Sequence, residues 1–189
     1  VGDAPRIDAS IEAALLLSAL ASRAGDRVNV TAFDRKERAR AQGPTEAALM
    51  PVLASALAPI EPSLVEPDWP ALVRLVNGRL SQRALVVLLT TVDASLIDSG
   101  ALQAIGTLQA NHQVVVASVD DPEEHDMLRA RGNAETVYAA AAAARASLEK
   151  DAVTATIRKL GAEVVTAPPG MLPPRLADTY LALKAAGRL

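Results

Sequence analysis

Imidazole chemistry in this chain rests on two residues, His112 and His125. His112 stands at the edge of a predicted strand, and His125 sits in a charged segment beside Glu123, Glu124 and Asp126. Neither belongs to a Gly-x-Ser-x-Gly turn or a His-x-x-x-His pair, so a Ser-His-Asp triad or a zincin-type site has little to draw on. Both histidines read as structural or solvent-facing. Cysteine is absent, which removes disulfides, thiolate metal sites and cysteine nucleophiles together. No Walker loop and no Gly-x-Gly-x-x-Gly turn offers a cradle for phosphate.

Carboxylates are better placed. Asp34, Asp93, Asp120 and Asp121 each follow a segment that reads as a strand, and in open parallel sheets ligands gather at the carboxyl ends of strands. Such a group could activate water on a divalent ion or grip a partner without reacting. Aspartate is also a favoured turn and N-cap residue. Asp121-Pro122-Glu123-Glu124 in particular reads as a helix start with acids that favour the helix dipole.

The elements that must hold these residues follow from periodicity. Apolar residues at helical spacing from Ile7 to Ala24 predict an amphipathic helix ended by Gly25. Arg27 to Phe33 alternates and is rich in β-branched residues, as a half-buried strand is. Arg38 to Gln42 is a candidate charged edge strand, ended by Gly43-Pro44. Thr45 caps a helix from Glu46 to Ala58 that must accommodate Pro51, and Asp68 opens a helix from Trp69 to Leu80 with Pro70 in its first turn. Ala84 to Thr90 and His112 to Val119 are continuous aliphatic runs, which fits strands covered on both faces and hence a parallel sheet. A helix from Ser95 to Asn111 joins them in a right-handed crossover. Further helices are predicted over Pro122 to Arg131, Ala134 to Leu160 and Pro174 to Ala186, with a last strand at Glu163 to Ala167. The alanine run Ala139 to Ala144 means helix, not disorder.

Composition bounds the partners. With 189 residues, half of them hydrophobic and 2% aromatic, the chain is expected to form one domain with a finely packed aliphatic core. The net charge of −3, with 19 basic residues scattered among 22 acidic ones, leaves no basic stripe for nucleic acid. The longest apolar stretches, Ala84 to Leu89 and Tyr138 to Ala144, fall far short of the roughly 20 residues that span a bilayer. The first residues show no signal-peptide pattern. A soluble, cytoplasmic chain is expected.

Four runs carry a family resemblance. Arg83 to Asp93, His112 to Glu123, Gly25-Asp26-Arg27-Val28 with Phe33, and Pro173 to Lys184 with Gly187-Arg188-Leu189 resemble the C-terminal domain of the bacterial domain-of-unknown-function family 58. That family is similar to von Willebrand factor A domains. The resemblance implies a three-layer, doubly wound, mostly parallel sheet with helices on both faces and a metal-ion-dependent adhesion site at its carboxyl edge. Such a site takes Mg²⁺ through an Asp-x-Ser-x-Ser loop, a Thr and an Asp, oxygen ligands suited to a hard cation. Here that first motif is absent, Thr90-Thr91 stands where Thr-Asp is usual, and Asp93 follows two residues later. If a metal binds at all, Thr45 and Asp93 are its remaining ligands; otherwise no cofactor is expected. The first, central strand of the fold, due between the strands at Arg27 and Ala84, is also missing, so residues 1–189 read as a single, N-terminally incomplete domain.

The resemblance further implies a non-enzymatic protein-binding module that partners a MoxR-type AAA+ ATPase in the assembly or maturation of other proteins. The partner-binding rim would comprise Asp34, Thr45, Thr91, Asp93 and Asp120. Full-length relatives often carry membrane helices, which makes this chain similar to the cytoplasmic part of an anchored protein. Two alternatives stand beside it: a metal-dependent hydrolase using Asp34, Asp93 and Asp120, and a degenerate domain that only scaffolds its own protein.

Overall fold

The fold is described from a computed structural model, over residues 6–43, 45–63, 65–122, 127 and 134–189. In chain order, helix α1 (Arg6–Arg23) leads into strand β1 (Val28–Phe33), which turns into β2 (Glu37–Gly43) and helices α2 (Glu46–Leu57) and α3 (Trp69–Arg79). Strand β3 (Leu85–Leu89) is followed by the short helix α4 (Ser95–Asp98), α5 (Ala101–Gln109) and β4 (Gln113–Val119). Helix α6 (Ala134–Lys159), strand β5 (Glu163–Ala167) and helix α7 (Leu172–Ala185) complete the chain.

The two aliphatic runs do form parallel neighbours. β3 pairs with β4 at Val87↔Val115, and β4 pairs with β5 at Ala117↔Val165, in the order β3-β4-β5. All seven residues of β4 are buried, as a central strand covered on both faces requires. Its side chains alternate between two cores. Val114 and Val116 join Leu108, Val153 and Ile157 from α5 and α6, together with Trp69 of α3. Val115, Ala117 and Val119 join Ala9, Ala13, Leu172 and Leu176 from α1 and α7. The period-two geometry of a strand thus feeds helices on opposite faces of one sheet.

β1 and β2 form a separate antiparallel hairpin, with Val28 opposite Gly43 and Phe33 opposite Glu37. The charged segment expected as an edge strand is therefore β2. Leu53 and Leu57 of α2 pack on the hairpin with Ala41, and Ile11 and Leu15 of α1 complete this third core.

One expectation needs correction. The helix expected over Ser95 to Asn111 breaks into α4 and α5, because Gly100 takes φ 86°, a left-handed conformation that interrupts a helix. The hairpin and the parallel strands are two sheets, with the gap where the first strand was expected to be missing. Between β1 and β3, where the first strand of the resembled fold is due, lies a cleft of about 800 Å³ lined by residues of both strands. The helix expected over Pro122 to Arg131 lies largely outside the described residues, as does His125.

Candidate functional site

The carboxyl ends of β3 and β4 are tied into one rim. Beyond β3, the Thr90 N–H donates to the Ala117 carbonyl at 3.0 Å. Thr91 is exposed, while Val92 turns inward and its N–H donates to the buried Ser118 Oγ at 3.1 Å. That bond pins the loop onto the end of β4. Asp93 then accepts from the Ser95 N–H at 2.9 Å and the Ser95 hydroxyl at 2.5 Å, which sets the start of α4. Beyond β4, the Asp120 N–H donates to the Ala167 carbonyl at 2.8 Å, and its carboxylate pairs with Lys150 of α6. Asp121 pairs with Arg6 at the start of α1, 2.9 Å away.

Asp34 closes β1. Its Oδ1 accepts from the Arg35 and Lys36 N–H groups at 2.5 and 3.1 Å, and its Oδ2 from Arg38 at 2.7 Å. The Lys36 N–H leads in holding this carboxyl below its ordinary value; partial burial opposes the effect, and Arg38 and Arg35 add to it. The Asp34 carbonyl accepts from the Asp68 N–H at 3.0 Å, and Asp68 caps α3 through the Ala71 N–H at 2.8 Å.

The sense of β1 follows from its start. Asp26, just before it, is held by Lys184 of α7 at 2.8 Å, and Arg188 beyond α7 bonds Glu163 and Gln113, the first residues of β5 and β4. β1 therefore leaves from the amino end of the parallel strands and delivers Asp34 towards their carboxyl side. Thr45 does not join it. β2 runs back antiparallel, and Gly43 lies opposite Val28, the first residue of β1. Thr45 thus stands at the opposite end of the hairpin, where its side chain caps α2 through the Ala48 N–H at 3.3 Å. This corrects its place in the expected rim and separates it from Asp93.

The donors of the rim do not converge on an ion. Cationic side chains pair with two of the carboxylates, Arg38 with Asp34 and Lys150 with Asp120, and Asp93 is engaged by Ser95. Among the described residues no three His, Asp or Glu side chains gather to hold a metal. With Thr45 at the far end of the hairpin, the residues present do not fit the octahedral oxygen set that Mg²⁺ takes. His112 is 3% exposed and its Nδ1 has no hydrogen-bond partner among the described residues. Burial pulls its pKa below the ordinary histidine value, which favours a neutral ring inside the fold.

Two features escape a reading by position. Tyr180 donates to Asp26 Oδ2 at 2.5 Å and Lys184 to Oδ1 at 2.8 Å, across more than 150 residues of chain. Only the four-residue spacing of Tyr180 and Lys184 on one helix face was a signal. The second feature is Trp69, 4% exposed in the wall of the cleft between β1 and β3, whose indole N–H has no partner among the described residues.

No curated protein and no solved structure shows a significant match to the chain. A family model does match, described as a protein of unknown function, DUF58, and it spans residues 3–160. The match takes in both aliphatic strands and the rim, while the C-terminal run Pro173 to Leu189 lies beyond it. On that coverage, the chain belongs to the DUF58 family.

Proposed function

We propose that this chain is a non-enzymatic protein-interaction module of von Willebrand factor A-like architecture, working with a MoxR-type AAA+ ATPase in the assembly or maturation of other proteins. The observation that carries the reading is the rim at the carboxyl ends of the strands. Asp34, Asp93 and Asp120 are fixed there by neighbouring cations and N–H groups, with Thr91 exposed among them. Rigid, oriented acceptors on short loops suit recognition of a partner's donors. No helix among the described residues is long and apolar enough to cross a membrane.

The test is equilibrium binding of the purified chain to a purified MoxR-type ATPase, with and without ATP. Thr91→Arg places a cation in the middle of the acidic rim without touching the core. It is expected to weaken binding by about tenfold, equivalent to about 1.4 kcal/mol, while the melting temperature stays unchanged. Absence of binding by the unaltered chain, or equal binding by the variant, refutes the rim as the contact surface.

A further inference from the structure

Helix α6 is longer than the sheet it covers. Among the described residues it gives Val153 and Ile157 to the cores, and none of residues 134–149 joins them. Lys150 pairs with Asp120, the residue directly after β4, so Lys150 is level with the carboxyl ends of the strands. From there α6 runs back to the amino end of β5. The residues ahead of Lys150, 134–149, therefore extend past the sheet as an arm of about 24 Å at the rise of about 1.5 Å per helical residue.

Val137, Ala141, Ala144 and Leu148 are spaced four, three and four apart, which sets them in one line along this arm. All four are exposed, Val137 to 54% and Leu148 to 70%. To one side of the line Ala140 and Ala143 are buried. To the other stand Tyr138, 78% exposed, and Arg145, whose Nε donates to Glu149 at 2.8 Å.

The order large, small, small, large reads the same in both directions, which fits the line to its own copy. With a second arm antiparallel and a two-fold axis between Ala141 and Ala144, Val137 meets the second copy's Leu148 and Ala141 meets its Ala144. Alanines then let the helices close at the centre, while the larger side chains fill the ends. The same axis sets Tyr138 across from the second copy's Arg145, twice, where a guanidinium can lie over the ring. The line carries no charge, so self-pairing brings no like charges together along it. The axis also falls close to the middle of the arm, and each tip stops short of the other body. A helix of an unrelated protein, or another stretch of this one, requires none of these matches.

We propose that the α6 arm is a self-association element, which pairs antiparallel with the arm of a second copy through Val137, Ala141, Ala144 and Leu148 and through Tyr138 against Arg145. A contact of about two heptads is small, so the dimer is weak and reversible. It is independent of the rim and of the identity of any ATPase.

Sedimentation equilibrium of the chain up to about 1 mM is expected to show a monomer–dimer equilibrium. Val137→Lys and Leu148→Glu alter exposed positions and should leave the melting temperature unchanged, yet each should weaken association at least about tenfold. Their equimolar mixture should regain it, since antiparallel pairing sets the two altered positions against each other. The chain has no cysteine, so a covalent readout is clean: Val137→Cys mixed with Leu148→Cys should cross-link on mild oxidation. Either variant alone should not, because like positions then lie about 16 Å apart along the axis. A chain that stays monomeric at that concentration overturns the proposal and leaves the stripe to a different protein or to another part of the same one. A dimer that neither charge substitution weakens overturns it too. Cross-linking of either cysteine variant alone, or a mixture that regains nothing, refutes the antiparallel pairing.

Discussion

Asp26 sits where α1 gives way to β1, and α7 reaches it with two side chains, the Tyr180 hydroxyl and the Lys184 ammonium. Burial alone would raise the Asp26 pKa, but the bonds from Lys184 and Tyr180 outweigh it and bring the value below its ordinary 3.8. A lowered carboxyl contributes stability above its unfolded pKa and loses it as the pH falls through the folded one. Lys184 is raised above 10.5, first by its bond to Asp26. Tyr180 is raised above 10.0, first by burial and then by Asp26. Raised groups stabilise below their unfolded pKa and cease to do so as the pH rises through the folded value. Asp26→Asn is therefore expected to flatten the alkaline fall in melting temperature above about pH 10 and part of the acid fall below about pH 4. Asp34, also lowered, keeps the remainder of the acid limb. The pair is 36% and 41% exposed, so solvent screening limits the change at pH 7 to about 2–4 °C or less. Melting curves between pH 3 and 11 on both proteins check this. The cluster was invisible to sequence reading because its members are far apart in the chain. Asp34, Asp93 and Asp120 were legible because each ends an aliphatic or alternating run. Thr45 was misplaced because its position depends on the direction of β2, which no local pattern encodes.

At the scale of elements, periodicity carried most of the assignment. The strands at Leu85, Gln113 and Glu163 lie inside the predicted runs, and the alanine-rich segment is the helix α6. Its residues do not all pack: Val153 and Ile157 fill the core near its end, while Tyr138 near its start and Leu148 in its middle are 78% and 70% exposed. The miss at Gly100 has a physical cause, since a lone glycine inside a helical pattern either continues the helix at a cost or ends it in a left-handed turn. Two other glycines separate close approach from mere helix softness. A Cβ on Gly43 would lie 2.8 Å from both the Cα and the N of Leu49, where β2 runs into α2 and only backbone could yield. Gly78, inside α3, has nothing within 4 Å of such a Cβ. Gly43→Ala should thus destabilise the protein by about 1–3 kcal/mol through overpacking, and Gly78→Ala should stabilise it by about 0.5–1 kcal/mol. Urea unfolding of the two variants, expected to move the midpoint in opposite directions, tests the assignment. A shared direction would mean that the seating of α2 against the hairpin is wrong.

For the whole molecule, the layering of helices on both faces of a parallel sheet followed from β4, whose uninterrupted apolar run could only be satisfied by cover on two sides. The split into a hairpin and a three-stranded sheet was legible only through the family resemblance, which puts a missing strand between β1 and β3; neither strand alone carries a signature of its neighbour. That split predicts an uneven response to hydrogen exchange. β4 is bonded on both edges and buried throughout, so its amides should exchange only through global opening, with the slowest rates in the chain. β3 is bonded on one edge. Its Val86 and Leu88 amides alternate with Ala84 and Thr90, whose groups bond β4, and should be protected nearly as well. The Leu85, Val87 and Leu89 amides face the cleft and should exchange faster by orders of magnitude, although their side chains pack with the α1 and α7 core. Residue-resolved exchange would show this as a two-residue alternation along β3 that is missing from β4. Uniform protection along β3 would mean that its outer edge is already paired, and that hairpin and parallel strands form one sheet in solution.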